Sequence, residues 1–199
     1  MNRRMFALLL LAAPLMTGCG YNRIQSLTQE VDAAQGNIQA QLQRRADLIP
    51  NLVATVKGYA THEEEVFTQV TQARAGLQTA IKSGDAGQMA NADATLTGAI
   101  GRLMVVAEAY PNLKADAQFT GLRDELSGTE NRIATSRTDY NSAVKTYNTA
   151  ITQFPTVLTA KATGAKPKPY YEATNANANT APTVDFSKTA PPAPSGKKP

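Results

Sequence analysis

The chain has 199 residues, room for one domain of ordinary size with extensions, and 42% of them are hydrophobic, enough for a core. Aromatics make up only 6% and tryptophan is absent, which disfavours a sheet rich in aromatic and β-branched residues and favours closely packed helices. The formal charge of +4 does not mark a nucleic-acid binder: Arg3 and Arg4 lie in a leader, residues 155–199 hold six lysines against Glu172 and Asp185, and residues 20–154 keep 12 basic and 14 acidic side chains, a net of −2.

Residues 1–19, MNRRMFALLLLAAPLMTGC, have a short basic segment, an apolar stretch and small residues ahead of Cys19. This is the architecture of an export signal, and the apolar stretch falls short of the roughly 20 residues a bilayer core requires. Leu15-Met16-Thr17-Gly18-Cys19 resembles the lipobox of bacterial lipoproteins. Residues 1–18 therefore read as a lipoprotein signal peptide and residues 19–21 as a lipidated N-terminus, with Cys19 carrying the acyl chains, such as palmitate. A single cysteine cannot close an internal disulfide in an exported protein. Anchoring by more than one chain is physically sufficient, because each buried methylene contributes about 0.8 kcal/mol. Gly20 after the cysteine, where an acidic residue is absent, fits outer-membrane sorting as seen in many Gram-negative lipoproteins. The expected location is the membrane of the cell envelope, with the body outside the cytoplasm.

Four helical patterns follow. Ile24, Leu27, Val31, Ala34, Ile38 and Leu42 recur at spacings of three and four, predicting a helix over 22–46. A second takes in Leu52, Val56, Tyr59, Val66, Val70, Ala73, Leu77 and Ile81, stopped by Ser83-Gly84-Asp85. A third runs from Met89 through Ala92, Leu96, Ile100, Leu103 and Val106 to Tyr110, ended by Pro111, which cannot continue the hydrogen-bond ladder. The fourth, from Phe119 through Leu122, Leu126, Thr129, Ile133, Ser136, Tyr140, Ala143, Tyr147 and Ala150 to Phe154, keeps an unbroken 3,4 repeat, the pattern of a coiled-coil seam. Asp116 is its N-cap candidate and Pro155 its stop. The expected fold is all-α: an antiparallel up-and-down four-helix bundle of long helices over 22–154.

Between the first two patterns lies RRADLIPNLV, residues 44–53. Arg44 and Arg45 suit the carbonyl end of one helix, Asp47 the free N–H groups of the next, and Pro50 its first turn, so a tight joint is the favoured reading. The alternative is one long helix bent at Pro50, where the ring meets the carbonyl of Ala46. Beyond Phe154 the chain turns rich in Pro, Thr, Ala, Asn and Lys without periodicity, so 155–199 is expected to be mostly disordered, with Tyr170, Tyr171 and Phe186 free to dock.

No constellation for catalysis or metal binding emerges. His62-Glu63-Glu64-Glu65 lacks the second histidine of a zinc-protease helix, where Val66 stands, and Tyr59 occupies the place of the glutamate in a di-iron Glu-x-x-His pair. No Gly-rich phosphate loop is present. Glu125, Glu130, Asp139, Arg132 and Arg137 of the fourth helix form an acid–base set only if they leave a solvated face, which is where helices ordinarily carry such charges. Asn141 and Asn148, one heptad apart at the edge of the seam and each following a tyrosine, are candidates to bond across helices or to a partner. With Arg44 and Arg45 they complete the set of candidate interaction residues. No catalytic residue, metal ligand or cofactor is assigned.

Three blocks, NIQAQLQRRADLIPNLVATVKGYATHE (37–63), AEAYPNLKAD (107–116) and ENRIATSRTDYNSAVKTYNTAITQFP (130–155), resemble the signature blocks of the LemA family of bacterial membrane-associated proteins. With the Tyr21-Asn22 start and PTVDF at 182–186, the likeness spans 21–186. It implies an all-α antiparallel bundle behind an N-terminal membrane anchor and brings no catalytic residue with it. The chain departs from the family in carrying a candidate lipidated cysteine where many members have a transmembrane helix. Residues 156–165, TVLTAKATGA, are also less apolar than in typical members. The expected role is therefore a non-enzymatic scaffold held at the membrane by its lipid, with an envelope protein partner and self-association through the seam, and without nucleic acid. The alternative is an envelope hydrolase or small-ligand binder with its site between helices.

Overall fold

The computed structural model describes residues 3–173, with side chains from Gly20 onward; Cys19, Phe186 and the PTVDF element lie outside the described side chains. The protein is all-helical. Six helices follow in order: α1 (Arg3–Lys57), α2 (Glu64–Ser83), α3 (Ala86–Glu108), the single turn α4 (Pro111–Lys114), α5 (Ala117–Thr152) and α6 (Thr156–Thr163). Among the described residues there is no strand, and no helix is long and apolar enough to cross a membrane.

Cross-helix bonds fix the directions. Arg44 of α1 meets Glu125 of α5, and Tyr59, just beyond α1, donates to Asp116 at the start of α5, so α1 and α5 run antiparallel along their lengths. Gln35 Nε2 donates to the carbonyl of Gly84 at 2.6 Å and Arg102 of α3 donates to Gln69 of α2 at 2.6 Å. The α2–α3 hairpin is thereby laid against α1. The turn inside it follows from its residues: Gly84 takes the left-handed φ of +69° that ends α2, and Asp85 Oδ1 accepts from Gln88 N at 2.7 Å to start α3. Asp116 likewise caps α5, accepting from Phe119 N at 2.9 Å, and Pro111 opens α4 at a position where its missing donor has no helical partner.

The joint expected at residues 44–53 does not exist. Helix α1 runs through Pro50 without interruption and ends instead at Lys57, ahead of Gly58–Glu63. Asp47 caps nothing; its carboxylate accepts from Gln43 Nε2 one turn earlier on the same helix, at 2.8 Å. Magnitudes explain the outcome. A helix-interior proline costs about 3 kcal/mol, whereas fully burying a side chain such as Ile49, Leu52 or Val56 returns about 1.5–3 kcal/mol, and all three are buried to 1% exposure or less. Their register continues that of Leu42 and Ala46, so a break would have turned this stripe away from the core. The carbonyl of Ala46, deprived of its usual donor by Pro50, is taken by the Arg74 guanidinium of α2, whose Nε donates at 2.7 Å.

The α5 seam also departs from expectation. Phe119, Leu126, Thr129, Ile133, Tyr140 and Tyr147 are buried, but towards the C-terminus Val144 and Ile151 replace Ala143 and Ala150 as the most buried positions, and Phe154 is 75% exposed. A straight helix drifts by about 20° per heptad against a strict 3.5 repeat, so over several heptads the face turned to α1 steps forward by one residue.

Candidate functional site

The features most suggestive of function gather on one side of α5. Arg45 and Asp93 form a buried ion pair between α1 and α3, Nη1 to Oδ1 at 2.6 Å, with the two residues 3% and 7% exposed. Asp93 occupies a core position of α3 beside Met89 and Leu96. Burial pushes its carboxyl above the ordinary range, and the Arg45 guanidinium pulls it back only in part. Next to the pair, Glu130 and Arg137 of α5 and Tyr171 line a cleft of about 330 Å³. Arg45 Nε and the Tyr171 hydroxyl are buried there without a hydrogen-bond partner. Burial raises the Tyr171 phenol well above its usual value, so it enters the site as a neutral donor.

Tyr171 arrives from a segment that the sequence places with the disordered tail. After α5 a turn through Phe154–Pro155 leads into α6, which packs on α1 and α5 with Ala160 buried. The next residues form a non-helical strap. Asn148 Oδ1 accepts from Lys168 N at 2.8 Å while its Nδ2 donates to Lys168 O at 2.9 Å. Asn141 repeats this with Tyr171, at 2.8 and 3.3 Å. Tyr140 donates its hydroxyl to Pro169 O at 3.0 Å, and Lys168 Nζ reaches Asp32 of α1 at 2.6 Å. The expectation for residues 155–173 is thus corrected: side-chain amides replace the missing secondary structure as partners for the strap's main chain.

The four candidate interaction residues therefore divide. Arg45, Asn141 and Asn148 converge on the strap and the cleft beneath it. Arg44, one residue from Arg45, points outward and pairs with Glu125 across α1–α5 at 2.7 Å, both side chains well exposed. Sequence reasoning missed Asp93, Lys168 and Asp32. For Asp93 a signal was there: a carboxylate in register with Met89, Leu96 and Ile100 on an apolar face calls for a buried cation. His62 is exposed between α1 and α2, and among the described residues no cluster of three possible metal ligands occurs. A broad depression of about 940 Å³ lies between α2 and α3 over small residues such as Ala73, Gly76 and Gly98.

Similarity to known proteins fits this picture. The chain is 30% identical over 175 residues to Magnetosome protein MamQ 2 of Paramagnetospirillum magneticum, covering 76% of this chain and 64% of that protein. It is 27% identical over 174 residues to Magnetosome protein MamQ of Magnetospirillum gryphiswaldense, with the same coverages. It is 26% identical over 140 residues to Protein LemA of Metamycoplasma hominis, covering 70% of this chain and 63% of that protein. The chain thus spans somewhat less than two thirds of the length of these relatives. Residues 34–186 match the LemA family as a whole, and the chain belongs to that family.

Proposed function

We propose that this protein is a lipid-tethered antiparallel four-helix bundle of the bacterial cell envelope that performs no chemistry of its own and works as a scaffold for other envelope proteins. The observation that carries this reading lies at the end of the body where Cys19 enters. Gly20, the next residue, is buried so closely against α6 that an added Cβ would stand 2.6 Å from Thr159 Oγ1. Tyr21 and Leu158, the chain neighbours of the two contacting residues, are 48% and 61% exposed, and Phe154, in the turn into α6, is 75% exposed. Large apolar side chains at the foot of a lipobox suit the interfacial zone of a bilayer, which the acyl chains would bring against them. The test is fractionation and in-cell crosslinking of the full chain beside Cys19→Ala. The tethered protein stays with membranes and captures envelope proteins that the variant does not. If Cys19→Ala remains in the membrane fraction with the same crosslinks, the tether reading falls.

A second reading, a small-ligand site between helices, is favoured by the cleft beneath Tyr171, which holds two buried polar atoms without partners and the carboxylates Asp93 and Glu130. Its volume is at the lower end of ligand pockets. Turnover or ligand binding abolished by Glu130→Gln would place this reading first.

A further inference from the structure

The strap is held as a bound peptide is held. Each of two asparagine amides closes a two-bond ring with the N–H and C=O of one strap residue, and Tyr140 adds a fifth main-chain bond at Pro169. Such pairing reads backbone, not sequence. The spacing is matched: seven residues of α5 rise about 10.5 Å, and three residues in the extended conformation that prolines favour advance about 9.3 Å. Asn148 and Asn141 therefore meet every third residue of a segment running antiparallel to α5. Pattern is added by two side chains. Lys168 pairs with Asp32 and lies over the Tyr147 ring at 5.8 Å, and Tyr171 is buried to 1% exposure with the Arg137 guanidinium 5.4 Å from its ring. The groove thus takes Lys-Pro-x-Tyr in an extended form.

We propose that this groove accepts the strap of a second copy of the chain, so that two molecules exchange residues 166–171 reciprocally. Every copy carries the fitting segment, Lys168-Pro169-Tyr170-Tyr171, and the contacts made in trans are the same as those made in cis. Only the hinge differs, and Gly164, at a φ of +71° directly after α6, is the residue type that turns most freely there. Pro167 and Pro169 keep a released strap extended, which lowers the ordering entropy of rebinding. Within one chain the strap enjoys an effective concentration on the order of millimolar, so exchange becomes prominent where copies are crowded. The inference goes beyond the tether reading and does not depend on it.

The test uses full-length chains in mild detergent and removes the competition in cis. One variant weakens the strap, Lys168→Ala with Tyr171→Ala; the other weakens the groove, Asn141→Ala with Asn148→Ala. Each alone sediments as a single chain, and the mixture of the two yields a species of twice the mass. Should the double groove variant lose helicity by circular dichroism, Asn148→Asp alone serves, since it places an acceptor against Lys168 O. A mixture that sediments like its components overturns the proposal. So does saturable binding of a labelled Lys166–Ala173 peptide to the strap variant when the mixed chains do not pair, which would show a groove open to the segment but no exchange between copies. Because the assay needs no membrane, failure of Cys19→Ala to leave the membrane has no bearing on it.

Discussion

Arg44 and Arg45 are neighbours on one helix, and each makes an ion pair of almost the same length, 2.7 and 2.6 Å. Their surroundings differ completely. The Arg44–Glu125 side chains are 56% and 40% exposed, so water competes for both charges and neither is left stranded if the other goes. The Arg45–Asp93 side chains are 4% and 10% exposed. There the pair removes two charges from water, and each partner is the main reason the other is tolerable. Distance alone therefore says nothing about consequence; what a lone partner would face decides it.

The largest test of that contrast is Asp93→Ala. It leaves the Arg45 guanidinium buried without its anion and should lower unfolding stability by about 3–5 kcal/mol, measured by chemical denaturation. Next comes Arg74→Ala, which strands the Ala46 carbonyl opened by Pro50 and should cost about 1–3 kcal/mol. In a Pro50→Ala background the residue-50 N–H is restored and can bond Ala46, so the same Arg74→Ala change should cost distinctly less. Equal losses in both backgrounds would show that Arg74 does not serve that carbonyl. The smallest effect belongs to Arg44→Ala, about 0.2–1 kcal/mol and diminished by salt.

Acid separates two aspartates in the same spirit. Burial raises the Asp93 carboxyl above its ordinary 3.8, so the folded chain holds that proton more tightly than the unfolded one. The proton-linked part of its stability is full below the unfolded value and is lost as pH rises through the folded value, while the ionised form keeps its pairing with Arg45. Asp116 is only half-buried, and its carboxylate accepts from Phe119 N and then from the Tyr59 hydroxyl, which lowers it. Its contribution is present above 3.8 and is lost as pH falls through the folded value. Stability measured against pH should therefore lose its acid-limb slope in Asp116→Asn, whereas Asp93→Asn should relieve a decline that runs towards neutral pH. Slopes that change in the same sense in both variants would refute the assignment of opposite shifts.

Helix content, the cap at Asp116 and the stop at Ser83-Gly84-Asp85 were determined by the sequence, because each rests on residues acting within a turn or on a 3.6-residue stripe. Asn141 and Asn148 could be singled out as polar residues at a seam's edge, but not their use, since their partners stand 30 and 20 residues further on, respectively. Tertiary structure alone decided the rest. Pro50 stays inside a helix because the face it interrupts is worth more buried than broken and because Arg74, 28 residues from Ala46, supplies the donor that proline lacks. The strap, without any periodicity of its own, is ordered by amides and an aspartate drawn from two helices. In both places a local preference is outweighed by hydrogen bonds and apolar contacts that exist only once distant segments have met, and no local pattern records them.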